Sequence, residues 1–358
     1  MAAEPKRLRI FSSPDFLPPG CPHVAMLFPF WGLPPGKEQN RPDYEGFGRY
    51  IDVGPSLFDM TSLSRADMAI LPFDWHHATV DRNIRSLAHR LDDACRRANK
   101  RLAVFFLSDS QEEIPLETAV TFRTSLQRGI RLNDFALPAW GDDFVSRLLR
   151  SCVPLRPKLA RARVGFCGFA GYRLLPNAPL RRQLRSVIRY VYKRFPGPTI
   201  REQTIKVLRN HPDIDTDFIL RDQFWTGLKD SKLPKSERNA RETFIRNLLD
   251  NDYTLCVRGG GNFSFRFYES LAAGRVPLFI DTESVLPYDF EINYEEHSIW
   301  VDAASLSNAG EILARAHSQL SPTEFVDLQL SCRRLWEERL SPAGYFSNFH
   351  RHLELISI

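Results

Sequence analysis

The stretch from Asp252 to Asp289, DYTLCVRGGGNFSFRFYESLAAGRVPLFIDTESVLPYD, carries most of the fold information in this chain. Thr254–Val257 is an apolar run of strand length, Arg258-Gly259-Gly260-Gly261 forms a turn, Ser264–Ala273 has helical character, Gly274 is a natural stop, and Val276–Ile280 is a second strand. A compact β-loop-α-β unit of this kind belongs to a parallel sheet. Consecutive glycines let the backbone approach a ligand closely, and the next helix offers unpaired N–H groups at the positive end of its dipole. Arg258 leaves the strand beside the glycines, and Arg266 falls in or near the first helical turn, where a guanidinium can grip phosphate oxygens with two hydrogen bonds. Glu269, three residues further on, is better suited to accept ribose hydroxyls than to face phosphates. The competing reading makes the glycines a plain tight turn and Arg266 with Glu269 a surface pair. Neither familiar nucleotide loop is present: there is no G-x-x-x-x-G-K-[ST], and Ser264 stands where the last glycine of G-x-G-x-x-G belongs.

The same grammar runs outward in both directions. Strands are predicted at Leu8–Phe11, Met68–Phe73, Leu102–Leu107 and Ala119–Phe122, with a helix over Asp81–Lys100 whose Ile84, Leu87, Leu91 and Ala94 recur at helical spacing. Further on come a strand at Val164–Phe169, a basic helix from Pro179 to Lys193, a strand near Asp217–Leu220 and a helix from Ser236 to Leu249. Ser321-Pro322-Thr323-Glu324 predicts a capped helix running to about Leu340, and Phe346–Leu355 a last one. Strands alternating with helices give an α/β protein of two domains of similar size, for which a cleft enzyme is the natural expectation. Pro154 and Pro157, in an Arg/Lys-rich stretch, put the boundary near residue 158: an N-terminal domain over 1–158, a C-terminal one over 159–340, and 341–358 as a closing helix able to pack back on the first.

Composition narrows the function. The chain has 358 residues, 43% hydrophobic and 25% charged, which is ample for a packed core and excludes wholesale disorder. A net charge of +5 is too small for a dedicated nucleic-acid binder, and no nucleic-acid motif is present. Six cysteines without a C-x-x-C pair suggest neither a zinc ribbon nor a disulfide scaffold. The opening residues lack the apolar core of a signal peptide, so a cytoplasmic enzyme is expected, with contact at the inner face of a membrane left open. Asp213-x-Asp215-x-Asp217 and Asp74 with His76-His77 have metal-like spacing, but read as solvated residues, and no metal or other cofactor is expected. The basic stretch Arg147–Arg194, with Tyr172, Tyr190 and Tyr192, suits an anionic glycan or membrane surface, or is simply a soluble face.

Arg258, Gly259, Gly261, Ser264, Arg266, Glu269, Gly274, Pro277, Asp281, Leu286 and Pro287 together resemble the signature of exostosin-family glycosyltransferases. Ala66–Pro72, Asp134–Pro138 and Val164–Gly171 resemble further elements of that family. The chain departs from the family pattern at Val257, Phe267 and Arg275, and it lacks the anchor common in animal and plant members, which argues against Golgi residence.

The resemblance implies a GT-B fold, two Rossmann-like domains facing across a cleft, and an inverting, metal-independent transfer from a nucleotide sugar, expected to be UDP-linked, to a hydroxyl of a glycan or lipid-linked glycan. On it, Arg258 and Arg266 bind the diphosphate with the Gly259, Gly260 and Gly261 amides and Ser264, and Glu269 holds the ribose. Gly168 and Gly171 line the donor site, and Arg173 and Arg181 approach the phosphates, unless the latter belong to a solvated helix face. Inversion needs a general base on the N-terminal side, and the candidates are Asp109, Asp74, His76 and Asp15, each just past a strand end. For each of these, capping a loop or helix is the competing role. A catalytically inactive glycan- or nucleotide-binding module, and a fucosyltransferase-type enzyme using a GDP-sugar, are the alternatives.

Overall fold

The computed structural model describes residues 7–34, 46–130, 133–141, 143–149, 152–171, 197–221 and 235–356. The chain forms two units, one made of Met1–Ala139, Val285–Tyr288 and Glu338–Ile358, the other of Trp140–Ser284 and Asp289–Glu337.

The first unit is built on β1 (Leu8–Phe11), β2 (Phe58–Met60), β3 (Met68–Ile70), β4 (Leu102–Phe106), β5 (Ala119–Arg123) and β6 (Asp134–Ala136). All pair in parallel, in the order β2-β1-β3-β4-β5-β6. β2 and β6 were not foreseen, because three residues are too few for a periodic signal. β3 ends at Ile70, short of Phe73, where Val24 and His23 take over the pairing with Pro72 and Phe73. The helix Arg82–Arg97 is capped by Asp81, which accepts from the Asn83 amide, and it buries Ala88, Leu91 and Cys95 against Val104, Phe106 and Trp75. The chain's last segment belongs to this unit: Phe346 stacks on Tyr50 with ring centroids 4.3 Å apart, and Phe349 and His352 pack on Phe122.

The second unit holds β7 (Ala162–Phe169), β8 (Ile214–Arg221), β9 (Tyr253–Val257), β10 (Val276–Asp281) and β11 (Ile299–Asp302). These are again all parallel, in the order β11-β10-β9-β7-β8. The division between the units falls after Ala139, not near residue 158. Phe144 and Val145 pack with Cys167, Phe244 and Leu248, and Asp143 accepts hydrogen bonds from Arg333 at 2.8 Å and from the Trp336 indole at 3.1 Å. The Pro154–Pro157 stretch is therefore part of the second unit and does not link the two. The helix begun at Pro322 has the expected capping box, but ends at Leu335; Trp336–Leu340 is a single wider π turn, and from Glu338 the chain belongs to the first unit. A helix at Gly197–Arg209 was not foreseen, and the one expected at Pro179–Lys193 lies outside the described residues.

Counted within its own unit, each sheet has the same doubly wound order, in which the first strand separates the second from the third. The order reverses between β1 and β3 in one and between β7 and β9 in the other, and ligands of such sheets bind at the carboxyl ends of the strands flanking that point. Among the described residues no helix is long and apolar enough to cross a membrane.

Candidate functional site

The reversal point of the second unit is an opening in its sheet. β7 pairs with β8 over eight residues and β10 with β9 over five, but β7 meets β9 only at Val164↔Tyr253 and Gly165↔Thr254. Past those pairs one guanidinium group bridges the strands in place of ladder bonds, and a second takes a carbonyl of β7. Arg266 Nη2 donates to the Cys167 carbonyl at 2.9 Å. Arg201, on the helix Gly197–Arg209, donates from Nη1 to the Phe169 carbonyl at 2.8 Å and from Nη2 to the Val257 carbonyl at 3.2 Å.

Arg266 sits in the first turn of the helix Phe265–Ala272, its guanidinium carbon 4.6 Å from the centre of the Phe166 ring. Burial pulls its pKa down, and nearby Glu269 pulls it back up; for Arg201, burial and then the neighbouring Arg266 push it down to about 9. Both stay protonated at neutral pH, so the fold holds two cations together at an electrostatic cost that an anionic ligand would relieve. Arg266 Nε is buried with no hydrogen-bond partner among the described residues. So is the hydroxyl of Ser264, which occupies the N-cap position of the same helix without capping it. An orphaned donor and an orphaned hydroxyl at a helix start are what a phosphate-bearing ligand would satisfy.

The glycines divide into those that space demands and those it does not. Gly168, at φ +152°, lies under Arg266, and a Cβ there would come within 2.1 Å of Nη2. A Cβ on Gly197 would lie 2.4 Å from the Gly259 carbonyl oxygen and 2.7 Å from that of Arg258, so the Gly197–Arg209 helix begins directly against the glycine loop. At Gly259 a Cβ would make only an ordinary contact, 3.6 Å from Arg201. The Gly259 amide donates to the Phe263 carbonyl at 3.2 Å and closes the loop, so it is not a free phosphate donor. Arg258 reaches the Gly260 carbonyl at 3.2 Å. Behind the loop, buried Asn262 donates to the Thr282 carbonyl and accepts from the Thr282 and Ser284 hydroxyls, tying the ends of β9 and β10 together.

Glu269 is buried and paired, but not with Arg266: its Oε1 accepts from both Nη1 and Nη2 of Arg241, each at 3.0 Å. Arg241, on the helix Lys235–Leu249, was missed at the sequence level. So was Arg201, although it lies in register with Ile205 and Leu208, an arginine within an apolar stripe. Gly171, at φ +124°, packs against Pro198 and Glu202; Arg173 and Arg181 lie outside the described residues. Asp215 pairs with Arg161, and Asp217 accepts from Asn247 and Asn251, so these acids have structural partners.

In the first unit the base candidates stand at the carboxyl ends of β1, β3 and β4. Asp74 caps the helix Trp75–Val80, taking the His76 amide at 2.8 Å on one oxygen and the Leu107 amide at 2.9 Å on the other. That is the capping role. Burial raises its pKa, while those two amides and the neighbouring histidines oppose the rise. His76 is exposed, and Asp15 is exposed with one oxygen accepting from the Ser13 hydroxyl. Asp109 is exposed too, and its carboxylate makes no hydrogen bond or ion pair among the described residues.

Residues 194–316 match the family model described as the Exostosin GT47 domain. Over those residues the chain is similar to exostosin GT47 domains. A stretch of 90 residues is 31% identical to Exostosin-1 of Drosophila melanogaster, covering 25% of this chain and 12% of that protein. The chain thus aligns with about an eighth of the length of the curated relative it matches. The GT47 segment takes in Arg201, Arg241, the glycine loop, Ser264, Arg266 and Glu269, and leaves out Gly168 and most of the first unit. Two Rossmann-like parallel sheets in one chain agree with the GT-B fold of this glycosyltransferase family. Of the three departures from the GT47 pattern, Phe267 is core, packed on Phe279 and Tyr294. Arg275 precedes β10, at the opposite end of the sheet from the glycine loop, and its guanidinium is spent on the carbonyls of Pro154, Leu249 and Gly274. Only Val257 adjoins the opening, through its carbonyl. The signature's closing Leu286-Pro287 lies in the first unit, within the segment Val285–Tyr288.

Proposed function

We propose that this protein is an inverting, metal-independent glycosyltransferase that moves a sugar from a nucleoside-diphosphate donor, read as UDP-linked, to a hydroxyl of a glycan or lipid-linked glycan. One observation carries the reading: the opening between β7 and β9 holds cationic Arg266 and Arg201 beside an orphaned Ser264 hydroxyl at a helix start. The GT47 match over the same residues supports it.

In this reading Arg258 and Arg266 hold the diphosphate. As the bond between the anomeric carbon and the phosphate oxygen breaks, its electron pair leaves with the nucleoside diphosphate, and the guanidinium groups stabilise that charge. The acceptor hydroxyl loses its proton to a carboxylate and its oxygen forms the new bond on the opposite face of the sugar. Asp109 is the base we favour, because its carboxylate is exposed and carries no competing bond among the described residues, whereas both Asp74 oxygens accept backbone amides. Glu269 already carries Arg241 on one oxygen, so a ribose hydroxyl would be received by the other.

The test is a thermal-shift and calorimetric screen of UDP, GDP, ADP and CDP, with and without chelator, on the wild type and on Arg266→Ala. Stabilisation by UDP alone, unchanged by chelator and weakened about 10–100-fold in Arg266→Ala, is the expected result. A preference for GDP would move the donor to guanosine sugars. No response to any of the four would overturn the donor site.

A further inference from the structure

The helix Gly197–Arg209 does more than cover the second sheet. We propose that Arg201 is a positioning residue that sets the width of the opening between β7 and β9, and so places the Gly168–Gly171 turn and the Arg258–Gly261 loop at the spacing a diphosphate needs.

β7 and β9 part company after Gly165 and Thr254, yet β7 runs on to Phe169 and β9 to Val257. Strands that lose their ladder leave carbonyls that must find other donors. Phe169 and Val257 are the last residues of the two strands, and one buried guanidinium serves both carbonyls, at 2.8 and 3.2 Å. Only a planar fork with donors on two ends can span such a pair; an ammonium, a single point, cannot hold both in fixed geometry.

The helix is locked to both loops in the same place. Gly197 abuts the Arg258 and Gly259 carbonyls so closely that a Cβ would collide with them, and Pro198 and Glu202 lie against Gly171. A Cβ added at Gly259 would stand 3.6 Å from Arg201 Nη2. Arg201 thus touches the two loops that would face the donor through their backbones, and acts on the ligand through them. Its neighbour Arg266 reaches the β7 side of the same opening, at the Cys167 carbonyl. Two like charges stacked along one gap repel, which favours a bound anion and keeps the opening from closing on itself.

This inference rests on the donor-site reading, so its experiment has one arm that needs no ligand. Arg201→Lys keeps the charge and loses the fork; Arg201→Ala loses both. In the ligand-free protein, hydrogen exchange at the amides of 168–171 and 258–261 should quicken in both variants, while exchange in β4 and β5 of the first unit stays as in the wild type. With UDP as the probe, Arg201→Lys should bind about tenfold more weakly, the loss appearing in the donor KM and leaving kcat within about twofold. Added guanidinium ion should restore part of the binding in Arg201→Ala. Unchanged exchange at both loops overturns the proposal, as does wild-type affinity in Arg201→Lys, or failure of both variants to fold, which would make Arg201 a folding residue only. If the wild type itself ignores UDP and the other diphosphates, the donor reading falls, and the exchange measurement still decides whether Arg201 holds the two strand ends.

Discussion

The two sheets of this protein share a strand order and differ in what stands where that order reverses. In the first unit β1 and β3 pair at Ile10↔Met68 and Phe11↔Ala69, and the next residue, buried Ser12, donates its hydroxyl to the Ile70 carbonyl at 3.0 Å. A short side chain of one strand thus closes the gap to the other. In the second unit β7 and β9 also share two register pairs, but the gap beyond them is spanned by the Arg201 guanidinium, with that of Arg266 beside it on the Cys167 carbonyl. Topology provides a crevice in both cases; a hydroxyl closes it in the first unit, and in the second it is lined by the arginines that we propose hold an anion. The loops at the carboxyl ends of the first sheet carry Asp15, Asp74, Asp109, Glu112 and Glu113, the reverse of the arginines in the second. In the proposed reading the acidic loops would supply the proton acceptor and the arginines would hold the phosphates.

The comparison breaks most readily at Asp109. Asp109→Asn should slow sugar transfer by about 10²–10⁴-fold in a steady-state assay. Its melting temperature should be nearly unmoved, because the side chain is exposed and the stability cost of such a change is within about 0.5 kcal/mol. Undiminished transfer would remove the base role from Asp109 and with it the proposed contrast between the units.

Each unit also holds an enclosed ion pair, and these sharpen the contrast. Arg123 and Asp134, 2.8 Å apart and almost fully buried, join β5 to β6; Arg241 and Glu269 join two helices beside the glycine loop. Arg123→Ala and Arg241→Ala should each cost about 3–5 kcal/mol in urea unfolding, since a carboxylate is left enclosed without its guanidinium. Only Arg241→Ala should also weaken UDP binding by calorimetry. Equal losses of UDP affinity in both variants would show that stability alone governs the site.

The smallest difference is in pH dependence. Burial pushes the Asp143 carboxyl up, but the hydrogen bond and charge of Arg333, with the Ser146 amide and the Trp336 indole, outweigh it and hold Asp143 below the usual carboxylate range. Its contribution to stability is present above the unfolded value and is lost as pH falls through the folded one. Asp74 is shifted the opposite way, its pKa raised chiefly by burial, so its contribution is present below the unfolded value and is lost as pH rises through the folded one. Urea melts between pH 3 and 7 should therefore show Asp143→Asn removing a loss of stability on the acid side, and Asp74→Asn removing a decline just above the usual carboxylate range. Identical pH profiles in the two variants would contradict the opposite environments of these acids.

Local spacing in the sequence determined the elements that repeat regularly: β1, β4, β5, β7, β9 and β10, the helix Arg82–Arg97 with its Asp81 cap, the Ser321 capping box, and the glycine loop between Arg258 and Arg266. Those features rest on forces acting within a few residues, so they can be read in order along the chain. The short strands β2, β6 and β11 escaped because their pairing depends on neighbours far off in sequence. Tertiary structure alone decided that Glu269 belongs to Arg241 rather than to Arg266, and that Asp143 pairs with Arg333. It also decided that beside the opening Gly168 and Gly197 are held by close approaches from other elements, and that Arg201 stands at the opening. A buried charge takes its partner from whatever the fold brings within about 3 Å, and no rule of spacing along the chain encodes that distance.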